Sequence, residues 1–222
     1  MNDYGYGLWF LVVINTAVVL IFAASFFHPT SKRDWRAFGT FSAFVVALFT
    51  EMYGVPLTVY LLSSWLGNSF LGLDLTHDGG HLWANLIGWG GDPHFSPFHL
   101  ASYVFIIGGF WAISSAWSSL YRASKDGALA VTGLYARVRH PQYAGFMAIM
   151  VGFLLQWPTI PTLVMFPVLV LVYRRLAISE EHETRERFGE EWDAYASRTP
   201  RFLPRRHSGG VQPPRPREIT SS

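Results

Sequence analysis

The densest group of chemically capable side chains runs Val131-Thr132-Gly133-Leu134-Tyr135-Ala136-Arg137-Val138-Arg139-His140-Pro141-Gln142-Tyr143-Ala144-Gly145. It sets Arg, His and Tyr against the start of an apolar helix. Pro141 suits the first turn of that helix, where a missing N–H leaves nothing unpaired. Gly145 lets another group come close to the helix backbone. A helix N-terminus beside Arg139 favours a bound anion such as a carboxylate. The same residues also fit an interfacial anchor, with Arg and His at headgroup level and Tyr in an aromatic belt. Residue types alone do not separate the two. A second group is Glu180-Glu181-His182-Glu183, followed by Phe188-Gly189-Glu190-Glu191-Trp192 and Tyr195. Charges on such a helix are ordinarily solvated, but Glu180 and Glu181 lie about two turns beyond Arg174. They can face the first group across the membrane surface.

Two further places carry chemical potential. Glu51 lies in the middle of an apolar stretch, Thr50-Glu51-Met52-Tyr53-Gly54-Val55-Pro56. A carboxylate buried in lipid is costly and marks a functional site by default. Gly54 and Pro56 are expected to kink the helix and open space beside it, so a role in a substrate cavity is favoured over a structural hydrogen bond. The segment Asp74-Leu75-Thr76-His77-Asp78-Gly79-Gly80-His81 holds two histidines four apart, with Asp92, His94 and His99 following. The spacing fits one helix face, but glycines interrupt it, and no metal site is assigned there. Cysteine is absent, which excludes thiolate metal sites, disulfides and a cysteine nucleophile. The common phosphate-binding loops are absent as well.

The elements that position these residues are membrane helices. Half of the 222 residues are hydrophobic and only 14% are charged, against about a quarter charged in soluble domains. A span needs about 20 apolar residues. Leu8 to Phe27, Ala37 to Trp65 and Leu100 to Leu120 supply three. Ala144 to Trp157 and Thr162 to Tyr173 form a pair of short helices, a hairpin split by Pro158-Thr159-Ile160-Pro161. The expected fold is therefore an all-α integral membrane protein of about five transmembrane helices, with a cytoplasmic helix over Arg174 to Ser197 and a disordered tail over 205–222.

Orientation follows from the basic residues. All 17 Lys and Arg fall in 28–36, 121–140 or 174–222, on one side of the membrane if the helices alternate. The positive-inside pattern puts those segments in the cytoplasm and residues 67–99 and the N-terminus outside. His140 is then expected at the cytoplasmic surface.

The run Arg139-His140-Pro141-x-Tyr143-x-Gly145, a hydrophobic hairpin, then Glu180-Glu181 and Phe188-Gly189-x-x-Trp192-x-x-Tyr195 resembles the isoprenylcysteine carboxyl methyltransferases, which share this C-terminal architecture with the phospholipid methyltransferases. The resemblance covers about residues 122–204. It implies a cytoplasmic pocket for S-adenosylmethionine and a tunnel that admits a lipophilic substrate from the bilayer. It divides the chain into N-terminal helices with an outer loop (1–120), a cofactor-binding core (121–204) and the tail. The residues implied to bind the cofactor are Tyr135, Arg139, His140, Pro141, Tyr143, Gly145, Glu180 and Glu181. His140 and the helix start at Pro141 suit the cofactor carboxylate, Glu180 or Glu181 its ammonium or a ribose hydroxyl, and Tyr135 and Tyr143 its adenine or sulfonium. Methyl transfer is an in-line displacement that positioning and water exclusion can largely carry. Arg139 is the natural orienting group for a carboxylate acceptor. For a thiol or amine, Glu181 or His140 is the candidate to take a proton. Glu51 completes the catalytic candidates. The expected partners are membrane lipid and a lipophilic or small-molecule methyl acceptor, with no nucleic acid. A transporter or metal-handling protein built on Glu51 and the outer histidines is the alternative, and a non-catalytic scaffold a third reading.

Overall fold

The computed structural model describes residues 6–58, 61 and 80–204. Seven α-helices are described: α1 (Trp9–Phe26), α2 (Lys32–Phe49), α3 (Leu82–Leu86), α4 (Pro97–Lys125), α5 (Pro141–Gln156), α6 (Ile160–Phe188) and α7 (Glu190–Arg198). No strand occurs among the described residues. Four segments are long and apolar enough to cross a membrane: α1, α2 with the turn that follows it, α4 and α6. The fold is that of an all-α integral membrane protein. Along α1, large apolar side chains such as Phe10, Val13, Val18 and Ile21 stay exposed. Lipid is the solvent that tolerates them.

Three boundaries differ from the sequence expectation, each for a local reason. The second helix begins at Lys32 rather than Ala37. Ser31 accepts the Asp34 N–H and Asp34 returns a bond to the Ser31 backbone, a capping box that starts the helix among charges. Its regular part ends at Phe49 and not near Trp65. Thr50–Gly54 form a π-turn, closed by the Val55 N–H donating 2.7 Å to the Thr50 carbonyl, and the chain turns extended at Val55 beside Pro56. Residues 59–60 and 62–79, with Trp65, lie outside the described set. The third difference is larger. Thr162–Tyr173 and Arg174–Phe188 are not a short membrane helix and a separate cytoplasmic one, but one 29-residue helix, α6. No breaker stands between Tyr173 and Arg174, and the Arg, Leu, Ala and Glu that follow are good helix formers. At ~43 Å, α6 runs past a ~30 Å bilayer core. It stops at Gly189, whose φ of 52° suits glycine. The turn at Pro158–Thr159 between α5 and α6 falls where the prolines indicated.

The main core joins α2, α5 and α6 through Phe41, Phe44, Leu48, Phe146, Met150 and Tyr173. α4 and α5 approach most closely of all. A Cβ on Gly145 would lie 2.7 Å from Ile113 Cγ1 and 2.8 Å from the Gly109 carbonyl oxygen. One on Gly152 would lie 2.9 Å from the Ser102 carbonyl oxygen. Small residues let helix backbones meet in this way. A second cluster of Leu129, Trp192 and Tyr195 seats α7 beneath the segment that follows α4.

Candidate active site

Two segments far apart in sequence meet where α5 begins. The Arg139 N–H donates 2.8 Å to the Pro200 carbonyl and the His140 N–H donates 3.0 Å to the Arg201 carbonyl. The segment after α7 thus runs alongside the entry to α5 and occupies the His140 N–H expected for a ligand carboxylate. His140 itself is buried, not exposed at the surface as expected, because α6 continues and brings two carboxylates onto it. Its Nε2 is 3.1 Å from Glu181 Oε1, and its Nδ1 is 3.2 Å from Glu180 Oε2. Its ring stacks on Tyr143 at 5.6 Å and 10°. Burial pulls the imidazole pKa down, but its contacts with the two carboxylates outweigh that, and the net pKa is raised.

Each carboxylate has its own support. Glu181 accepts two bonds from Arg201, at 2.8 Å and 2.6 Å, and lies 3.5 Å from Arg139 Nε. Glu180 accepts a hydrogen bond from the Tyr143 hydroxyl. Tyr135 donates 3.0 Å to Gln142 Oε1, and its own carbonyl accepts from the Tyr195 hydroxyl at 2.7 Å. Burial first, and the Glu180 charge second, raise the Tyr135 pKa and keep its phenol protonated. Arg33, at the start of α2, pairs with Glu183 of α6 and closes the other flank.

These groups border a cavity of about 690 Å³, within the range of small-molecule clefts. One wall is polar, with Arg139, His140, Glu180 and Tyr135. Another is apolar, with Phe27, Ile113, Trp117 and Leu120. Two buried donors on the polar wall, Arg139 Nε and His140 Nδ1, have no hydrogen-bond partner among the described residues. The nearby carboxylate oxygens lie at ion-pair distance but out of line. Each faces a carboxylate, His140 Nδ1 that of Glu180 and Arg139 Nε that of Glu181.

The sequence-selected residues divide cleanly. Tyr135, Arg139, His140 and Glu180 line the cavity. Glu181 and Tyr143 stand behind them and hold them. Pro141 is the first residue of α5. Gly145 admits a close backbone, that of α4. Glu51 is not brought to the cavity. It lies ~25 Å along the second span from Asp34, buried, with Oε2 accepting the Thr58 N–H at 3.0 Å. The Thr58 hydroxyl in turn accepts the Ile160 N–H at 2.8 Å. Here Glu51 makes a structural hydrogen bond, to backbone beyond Pro56. His77, Asp74 and Asp78 lie outside the described residues. The cavity also draws on Phe27–Asp34 and on α4, so its walls are not confined to 121–204.

Arg201 and Arg33 carry no sequence signal for the site, and Gln142 and Trp192 sit in the two sequence groups without a role read for them. Trp192 carries Arg139 over its ring at 5.8 Å. Arg201 follows the last helix and has no periodicity to betray its partner.

Residues 98–191 match the phospholipid methyltransferase family. The match runs from the start of α4 into α7 and includes both halves of the His140–Glu180–Glu181 cluster. That family is related to the isoprenylcysteine carboxyl methyltransferases, in agreement with the resemblance carried by Arg139–Gly145 and Glu180–Tyr195. It supports a membrane methyltransferase and gives no support to a transporter. No curated protein and no solved structure matches the chain.

Proposed function

We propose that the protein is an S-adenosylmethionine-dependent methyltransferase that takes its cofactor into this cavity and its acceptor from the bilayer. The observation that carries the reading is the convergence of Arg139, His140 and the Glu180 carboxylate on one wall of the cavity. An amino-acid moiety has a carboxylate for the first two and an ammonium for the third. Bound S-adenosylmethionine would supply an electrophilic methyl group. Arg139, steadied by Trp192, and His140, whose pKa the two carboxylates raise, bind the carboxylate end. Tyr135 offers a flat, neutral face to the adenine. Glu181 acts through Arg139 and His140 and is a positioning residue. Glu180 is the carboxylate on the cavity wall, and so replaces Glu181 as the group best placed to accept a proton from a thiol or amine acceptor.

The apolar wall of Phe27, Ile113, Trp117 and Leu120 suits a lipophilic acceptor and keeps water from the transfer. The cavity end of the bundle also carries the basic residues, which supports a cytoplasmic cofactor site and an external N-terminus. The test is isothermal titration of purified protein with S-adenosylmethionine, followed by transfer of labelled methyl into membrane extract. Arg139→Gln is expected to weaken cofactor binding by about tenfold or more, the loss of a charged hydrogen bond. Absence of binding in the parent protein would end the proposal.

A further inference from the structure

The seam between α2 and α6 brings cations together outside the cavity. The two helices run antiparallel, and two rungs fix their register. Arg33 pairs with Glu183 and donates 3.2 Å to the Ser179 hydroxyl. One turn further along α2, the Tyr173 hydroxyl donates 3.2 Å to the Ala37 carbonyl. Between these rungs Arg36 comes level with Arg175. Arg36 stands three residues from Arg33, and Arg175 stands four from Ser179, so both adjoin the same seam. Lys32, four before Arg36, extends the row toward the helix start. All three side chains are exposed. Trp35, also exposed on α2, is of the type that favours the boundary between lipid and water.

Nothing described balances these charges. The arginines in ion pairs at this end of the bundle are Arg33, Arg139, Arg185 and Arg201. Among the described residues, none of those pairs involves Lys32, Arg36 or Arg175. The nearby carboxylates are engaged elsewhere. Asp34 accepts the Thr30 and Ser31 N–H groups, Glu183 holds Arg33, and Glu180 holds Tyr143. All three acids line the cavity, and none of the three cations does. A lone cation at this depth only extends to the headgroups. Like charges from two helices on one seam repel, and a shared anion removes that cost.

The seam continues into the membrane as an open apolar path. Gly39 and Ala43, about one and two turns beyond Arg36, are both exposed. A Cβ at Gly39 would meet nothing within 4 Å. By the same register Ala43 comes level with Val168, which is exposed together with Leu171. We propose that Lys32, Arg36 and Arg175 bind the phosphate of an anionic phospholipid from the leaflet on the cavity side, with an acyl chain lying along Gly39 and Ala43. Guanidinium groups suit phosphate oxygens, and basic residues at a membrane surface attract anionic lipid. A zwitterionic headgroup adds an ammonium for which this seam offers no free carboxylate. The lipid is a structural ligand that fastens α2 to α6, and not a methyl acceptor. This inference is independent of the methyl-transfer reading.

The test uses the full-length chain in neutral detergent, mixed with dioleoyl phosphatidylglycerol or dioleoyl phosphatidylcholine. Native mass spectrometry should show phosphatidylglycerol retained in preference, and that lipid should raise the melting temperature more, by linkage. The double variant Arg36→Gln/Arg175→Gln should weaken retention by about 10- to 30-fold, roughly fivefold for each cation, without lowering the lipid-free melting temperature. Gly39→Leu keeps every charge but fills the path of the chain, and should weaken retention too. Arg122→Gln/Arg137→Gln removes two exposed cations at the same end of the bundle and should leave retention unchanged. Free glycerol 1-phosphate at the lipid's concentration should not displace it. Equal retention of the two lipids, undiminished retention in the double variant or in Gly39→Leu, equal loss in Arg122→Gln/Arg137→Gln, or displacement by glycerol 1-phosphate would each overturn the assignment.

Discussion

Arg201 and Glu181 form a two-pronged ion pair, at 2.8 Å and 2.6 Å, that fastens the segment after α7 to the site-bearing turn of α6. Both side chains are largely shielded, so the pair is stronger than an exposed surface bridge. Arg201→Ala should lower stability by about 1–3 kcal/mol. It should also weaken S-adenosylmethionine binding, because Glu181 then turns on His140 and Arg139 alone. Arg201→Lys keeps the charge but not the fork, and should recover only part of each. Denaturation and calorimetry on both variants check this; a normal cofactor affinity in Arg201→Ala would separate the segment from the site.

His140 gives the protein a signed pH dependence. Its folded-state pKa is raised above the unfolded value of about 6.5. Its stabilising contribution is therefore complete below about pH 6.5 and is lost as pH rises through the folded pKa. Melting temperature measured from pH 6 upward should fall across that window. His140→Gln should flatten the fall. An unchanged slope in the variant would mean that His140 is neutral in the fold.

The close approach of α4 and α5 predicts a sharp contrast between glycines. Gly145→Ala forces a methyl group against Ile113 and the Gly109 carbonyl, and should destabilise by about 1–3 kcal/mol. Gly39→Ala meets nothing within 4 Å on α2 and should be neutral or slightly stabilising, as alanine is the better helix former. Thermal melts of the two variants side by side give the answer.

Glu51 should behave as a backbone cap. Glu51→Gln still offers an oxygen to the Thr58 N–H and is expected to keep both stability and turnover. Glu51→Leu leaves that N–H unsatisfied and should lose about 1–3 kcal/mol. A Glu51→Gln protein that folds, binds cofactor and fails to turn over would return this residue to the chemistry.

Topology can be tested cleanly in a chain with no cysteine. A cysteine at Asn85 should react with an impermeant reagent added outside intact cells, and one at Asp126 only after permeabilisation. Reaction of both from the same side would reverse the proposed orientation.

What was legible in the sequence was what local pattern controls. Apolar runs marked α1 and α4, Pro158 and Pro161 marked the turn between α5 and α6, and Arg139–Tyr143 with Glu180–Glu181 marked the two halves of the site. The rest depends on long-range partners. Nothing near Glu51 announces that Thr58 will turn back onto it. Nothing near Arg201 indicates that it will cross to Glu181. The change from lipid-facing to charged residues at Arg174 reads as a boundary, yet helix hydrogen bonding ignores the solvent outside, and α6 continues through it.

The three glycine contacts between α4 and α5 have a consequence for substrate choice. Helices that touch backbone to backbone move as one body, so Trp117 and Tyr121 keep their distance from Tyr135, His140 and Gln142. Half of the cavity is thereby a fixed mould. The other side is made by Phe27–Asp34 and by Thr184–Tyr195. Altering the size of the accepted molecule is a matter of resculpting that other side, because a substitution along the α4–α5 seam costs stability as well.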